Sequence, residues 1–178
     1  MAVMGTLTLS SALAEKARAG WRYPCEQAGL APVRLDIDDL RGAVLCLVNR
    51  ARQQHGLRLL HDDPDLRVSA TRHSTDMVER DYFAHDGLYG GTLGDRLGRT
   101  GYLYRAKSYL LGENIGGGEG SRAGSPAAVF RSWMNSPPHR ANVLSPYFQD
   151  LGVGVARGFP GRGWAGAATY TLDFGTRH

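Results

Sequence analysis

Leu151-Gly152-Val153-Gly154-Val155 places a large apolar residue at every second position, with glycine between. A period of two belongs to an extended strand, because successive side chains there point to opposite faces. Tyr170-Thr171-Leu172-Asp173-Phe174 has the same period further on, and Gly158 to Gly163 reads as a hairpin loop between the two strands. The chain therefore ends in paired strands.

Upstream the apolar spacing changes to three and four. Ile37, Leu40, Val44, Leu47, Val48 and Ala51 predict a helix from Asp36 to His55, with Gly56 as its stop. Asp36, Asp38 and Asp39 sit at its start and Arg50 and Arg52 near its end, as the helix dipole favours. A second helix is expected from Pro64 to about Arg80, capped by Asp63. Its stripe of Leu66, Ala70, His73 and Met77 assigns His73 to a core edge rather than to a site. Asp81 to Gly87 reads as extended and ending in a turn, and Thr92 to Thr100 as a short helix stopped by Gly101. Leu110 to Ile115 reads as a short strand, and Gly116, Gly117, Gly118, Gly120 and Gly124 as a flexible loop. Ser125-Pro126 opens another helix through Val129, Phe130 and Trp133. Helices first and paired strands last predict an α+β layered domain, with helices covering an antiparallel sheet.

The 178 residues suit one domain with a real core, here taken as residues 36–178, behind a leader and N-terminal arm over residues 1–35. Apolar content of 42% and charged content of 21% are those of an ordinary globule. No apolar run approaches the ~20 residues of a transmembrane segment. The net charge is +4, and the arginines that supply it after Gly120 are scattered singly, without interleaved aromatics. That pattern gives no support to nucleic-acid binding. Ala2 to Leu13 is mildly apolar and Ala12-Leu13-Ala14 resembles a cleavage site, which reads as a weak or truncated export signal, since no Lys or Arg precedes Lys16. Cys25 lies in the arm and Cys46 in the first helix. An even count with one cysteine in an otherwise unanchored arm favours a disulfide, hence an oxidising compartment, over two buried free thiols.

Three segments carry side chains fit for chemistry. His139 follows Ser136-Pro137-Pro138, a helix start with Ser136 as cap, and the positive end of the dipole biases its ring toward the neutral form that binds metal or accepts a proton. His85 follows Phe83 at strand spacing. Glu113 directly precedes the glycine run. Two histidines and a carboxylate could hold zinc with one position open to water, but sequence spacing does not show that the three converge. Each also reads as an ordinary hydrogen-bonded polar residue.

Together these segments resemble one family. Phe83-x-His85, Gly112-Glu113-Asn114-Ile115 and Trp133-Met134-Asn135-Ser136-Pro137-x-His139-Arg140-x-Asn142 occur in the order of the CAP superfamily, whose domains are called SCP-like, in its bacterial branch. Leu47-Val48-Asn49-x-x-Arg52, Met77-x-x-x-x-Tyr82-Phe83 and the closing Thr169-Tyr170-x-x-Asp173-Phe174-Gly175 extend the likeness over about Asp36 to Gly175. The resemblance implies a single-domain, three-layer α-β-α sandwich around a central antiparallel sheet. It implies a cleft lined by His85 and His139 as ligands of zinc or another divalent cation, with Glu113 beside them. A second cleft glutamate of many members falls at Ser136, so that carboxylate is missing. Cys25 and Cys46 are similar to an arm-to-helix disulfide of some bacterial members, and secretion is the family habit. Two functions follow from the resemblance. One is a secreted module binding a lipid, a cell-envelope component or a protein. The other is a metal-dependent hydrolase of peptide or cell-wall bonds, with Glu113 as general base. The missing carboxylate weighs against the second.

Overall fold

The computed structural model describes residues 25–178, with only the backbone described for residues 163–165. The leader expected over residues 1–20 lies outside the described residues. Two short 3-10 turns, Cys25–Gly29 and Pro32–Arg34, form the arm. Five helices follow: α1 (Ile37–Gln54), α2 (Pro64–Glu79), α3 (Leu93–Thr100), α4 (Pro126–Asn135) and α5 (Pro137–Val143). The four strands are β1 (His61–Asp62), β2 (Tyr109–Glu119), β3 (Asp150–Phe159) and β4 (Gly163–Arg177), in sheet order β1-β3-β4-β2. β4 lies between β3 and β2 and is antiparallel to both, and the two residues of β1 add a parallel edge to β3.

The helix starts follow their caps. The Asp36 carboxylate accepts from Asp39 N, that of Asp63 from Asp65 N and Leu66 N, and the Ser125 hydroxyl from Ala128 N. Thr92 and Asp95 form a reciprocal capping box on α3, and Gly101 ends that helix at φ 95°, a left-handed turn that glycine adopts without strain.

The sheet is buried on both faces. Tyr170, Leu172 and Phe174 of β4 join Leu40, Val44 and Val48 of α1, Val129 and Trp133 of α4, and Val143 of α5 in the main core. On the other face Thr171 accepts a hydrogen bond from Ser74 of α2 at 2.9 Å, and Leu66, Leu97 and Tyr102 form a smaller cluster with Leu111. The result is the three-layer α-β-α sandwich: α1, α4 and α5 on one side, α2 and α3 on the other.

Two local readings change. The glycine run is only partly a connection: Gly116, Gly117 and Gly118 continue β2, paired with Tyr170, Thr169 and Ala168, and Gly120–Gly124 form a single π turn before α4. A Cβ at Gly116 would lie 2.8 Å from both Trp133 Nε1 and Val129 Cγ1, so α4 can pack on the strand only where a side chain is missing. Asp81 to Gly87 is irregular rather than extended in a sheet, and Phe83 is half exposed against Phe159, ring centroids 5.3 Å apart.

The arm is tied down as expected, with Cys25 bonded to Cys46 of α1. Leu35 enters the main core, and Arg157 of β3 donates to the carbonyls of Pro32 and Leu35 at 3.0 and 2.6 Å. Arg52 does more than complement a helix end. It is fully buried and donates to the carbonyls of Arg58, Val143, Ser145 and Phe148. Two of these lie at the C-terminal end of α5 or just beyond it, so one guanidinium fixes the helix that carries His139.

A histidine and glutamate site at the edge strand

β2 is an edge strand, and its residues alternate between the two helical layers. Gly112, Asn114 and Gly116 face α4 and α5. Leu111 and Glu113 face α2 and α3. Asn114 donates to the carbonyl of His139 at 2.9 Å, and Asn142 donates to the carbonyl of Glu113 at 3.1 Å and to the Asn114 side chain at 2.9 Å. Trp133 Nε1 donates to the carbonyl of Ile115 at 2.8 Å. These bonds clamp α4 and α5 to the open side of β2 and satisfy edge groups that would otherwise need water. Gly112 leaves room for the clamp: a Cβ there would meet Phe148 Cζ at 2.7 Å and Asn142 Oδ1 at 3.1 Å.

The clamp sets His139 on one side of the strand. Its Nδ1 lies 2.9 Å from Ser136 Oγ. Ser136 occupies the N-cap position of α5, yet its hydroxyl makes no capping bond and serves the histidine instead. The His139 pKa is lowered, first by burial and then by the charge of His85. The neutral bias read from the sequence is present, with burial and a neighbouring histidine as its causes.

His85 approaches from the other layer. Its Nδ1 donates to Glu113 Oε1 at 2.8 Å, and this bond raises its pKa against the effect of burial. The ring is half exposed, whereas the Glu113 side chain is only 5% exposed. The second oxygen of Glu113 accepts from Arg96 of α3, which also donates to the carbonyls of His85 (2.9 Å) and Gly91 (3.2 Å). Burial alone would push the Glu113 pKa up. The His85 bond, Arg96 and His73 outweigh it and hold the carboxyl below its ordinary value.

Three further residues belong to this group. His73 is buried and, as its stripe implied, packs at the core, its Nε2 donating to the carbonyl of Ala84 at 3.0 Å. That nitrogen also lies 4.0 Å from Glu113 Oε2, so the core residue borders the site. Arg96 gave no signal in the sequence, because the docking of α3 is a tertiary property. Asp173 is the cross-strand partner of Glu113 and is fully buried. Among the described residues neither of its carboxyl oxygens receives a hydrogen bond. Burial first, and the charge of Glu113 next, raise its pKa well above the carboxylate range. Two carboxyls side by side in a dry place share one negative charge, which stays on Glu113, where Arg96 and His85 are.

A divalent ion would have to fit these donors. Both rings use Nδ1 on a neighbour, which leaves Nε2 of each as the nitrogen for a metal. A carboxylate behind a histidine is the usual orienting arrangement of such ligands. Among the described residues, no group of three or more His, Cys, Asp or Glu side chains is placed to hold an ion.

The comparisons agree with this architecture. Residues 45–174 match the model of CAP, the cysteine-rich secretory protein family. The chain is 38% identical over 111 residues to the uncharacterized protein YkwD of Bacillus subtilis, covering 62% of this chain and 40% of that protein. It is 39% identical over 114 residues to the uncharacterized membrane protein YlbC of the same organism, covering 64% and 31%. The chain thus spans well under half the length of these curated relatives. Among solved structures it resembles an extracellular protein of Bacillus anthracis containing an SCP domain, with TM-score 0.59, 33% identity, and 79% of this chain and 43% of that one covered. The fold also matches an outer surface protein of Borrelia burgdorferi, with TM-score 0.66, 19% identity, and 81% and 97% covered. With a family match over most of its length, the chain belongs to the cysteine-rich secretory protein (CAP) family.

Proposed function

We propose that the chain is an exported binding module whose His85 and His139 take a divalent ion such as zinc. A lipid, cell-envelope component or protein partner would be engaged at the same edge of the sheet. The carrying observation is the pair of second-row bonds, Glu113 to His85 and Ser136 to His139, which orient two imidazoles and leave Nε2 of each as donor. Two protein ligands leave most coordination positions to water or to a ligand group, as a docking site needs and a structural zinc site does not. The state of Glu113 favours binding over hydrolysis. Both its oxygens are engaged, its side chain is nearly buried, and residue 136 is serine, so no carboxylate of the group is free to take a proton from water. Export is supported by the Cys25–Cys46 disulfide and by the extracellular description of the similar Bacillus anthracis protein.

Zinc or cobalt titration of chelator-treated protein tests the reading. His85→Ala and His139→Ala should each weaken binding by at least about ten-fold, and Glu113→Gln by about ten-fold through loss of orientation. Undiminished affinity in both histidine variants would sink it. For hydrolysis, metal-stimulated cleavage of peptide or peptidoglycan substrates that disappears in Glu113→Gln would reverse the preference.

A further inference from the structure

A second cavity borders the site, sharing His73 and Arg96 with it but lined by neither His85 nor His139. This cavity, of about 260 Å³, opens between α2, α3 and the loop at Gly87 to Gly91. Arg72 and Arg80 of α2 and Arg96 and Arg99 of α3 line it, with Asp76 as the only acid among the lining residues. Arg80 is bonded to Asp76 at 2.5 Å and Arg96 to Glu113. Arg72 and Arg99 are exposed and form no salt bridge among the described residues, which leaves two positive charges at the mouth of one pocket.

The pocket also borders a donor without an acceptor. Nε of Arg96, whose side chain is 10% exposed, has no hydrogen-bond partner among the described residues. Ser69 lines the same cavity but faces the buried Asp173 carboxyl. Buried donors are rarely left unpaired in a native fold, so the Arg96 Nε–H is a group that a ligand can complete.

We propose that this pocket binds a small phosphorylated molecule through its phosphate monoester. A dianion matches the two guanidiniums that form no salt bridge, and a tetrahedral phosphate offers enough acceptor oxygens for two guanidinium forks and the Arg96 Nε–H. The volume falls just below the usual range for ligand pockets, which suits a phosphate on a short polyol or single sugar. Tyr89, stacked under Arg80 with the guanidinium 5.4 Å from its ring centre, and Leu88 form an apolar rim for the organic part.

The experiment is calorimetric and ³¹P NMR titration of the whole chain with inorganic phosphate and glycerol 3-phosphate, beside sedimentation with phosphatidylcholine vesicles containing phosphatidic acid. Saturable binding should weaken about ten-fold or more in Arg72→Gln and in Arg99→Gln. Arg122→Gln, an equal charge change at an exposed position outside the cavity, should leave it intact, as should His139→Ala, which separates this site from the proposed metal site. Binding of the soluble ester alone marks a free metabolite. Arginine-dependent binding of the vesicles as well marks a lipid headgroup. Two results would overturn the proposal. One is no saturation by any probe up to about 10 mM; the other is equal weakening by Arg122→Gln, which marks unspecific charge attraction.

Discussion

Asp173 carries the sharpest consequence at the scale of single residues. Its folded pKa is raised, so the native state keeps a proton that the unfolded chain releases above about pH 4. Stability from this group is therefore lost as pH rises from the unfolded value through the folded one. Glu113 works in the opposite sense. Its folded pKa is depressed, so its contribution is present above the unfolded value and lost as pH falls through the folded one. Asp173→Asn keeps the shape and removes the first of these. Its melting temperature should exceed that of the parent at about pH 7, with the advantage shrinking toward about pH 4, as read from thermal melts across that range. A variant less stable than the parent at every pH would mean that Asp173 is ionised in the fold. In the sequence Asp173 was visible only as a polar position of an alternating strand and as part of the closing motif. Nothing there tells that the polar face is also buried, because a two-sided sheet and a one-sided one share the same period.

At the scale of elements, much was legible and for identifiable reasons. All four long or capped helices were marked by Asp36, Asp63, Thr92 and Ser125, whose side chains cap in the fold or form a capping box. The strand containing Glu113 was shortened because glycine reads as a breaker, whereas here it is the residue that lets a helix touch a strand. The same device recurs in Leu151-Gly152-Val153-Gly154-Val155, where α2 lies directly on β3. A Cβ at Gly152 would overlap backbone of Leu66 and Arg67, and one at Gly154 backbone of Ala70 and Thr71. Gly154→Ala should therefore cost about 3 kcal/mol or more, since neither backbone can withdraw without moving a whole layer. Gly98→Ala on α3 should do the opposite. That glycine is exposed, with nothing within 4 Å of an added Cβ, and alanine is the better helix former by about 0.5–1 kcal/mol. Denaturant unfolding of the two variants checks both signs. If Gly154→Ala is tolerated, α2 and β3 are not held as closely as the fold requires. The candidate site divides along the same line. His85, Glu113 and His139 carry recognisable local sequence, while Arg96 enters through the placement of a short helix that no local pattern encodes.

The whole molecule is held by a few long-range ties, and these decide how the arm behaves. Arg52 joins α1 to α5, the asparagine clamp joins α5 to β2, and the Cys25–Cys46 bond joins the arm to α1. The disulfide closes a loop across a sequence separation of 21, which in the chain-entropy picture removes about 3 kcal/mol of freedom from the unfolded chain. The native arm has other anchors: Leu35 in the core and the two carbonyls held by Arg157. Reduction should therefore weaken the fold without releasing residues 32–35. In thermal melts, Cys25→Ser with Cys46→Ser, or reductant on the parent, should lower Tm by roughly 6–12 °C for a domain of this size. Hydrogen exchange should show lost protection over Cys25–Gly29 but retained protection at Leu35. Zinc titration should be unchanged, since His85 and His139 are positioned through β2, α3 and α5 rather than through the arm. A Tm that moves by less than about 1 °C would show that Leu35 and Arg157 already constrain the arm and that the bond serves to keep it in place in an oxidising compartment. Loss of zinc binding on reduction would instead couple the arm to the sheet edge, and the independence of the two ends of the domain would have to be abandoned.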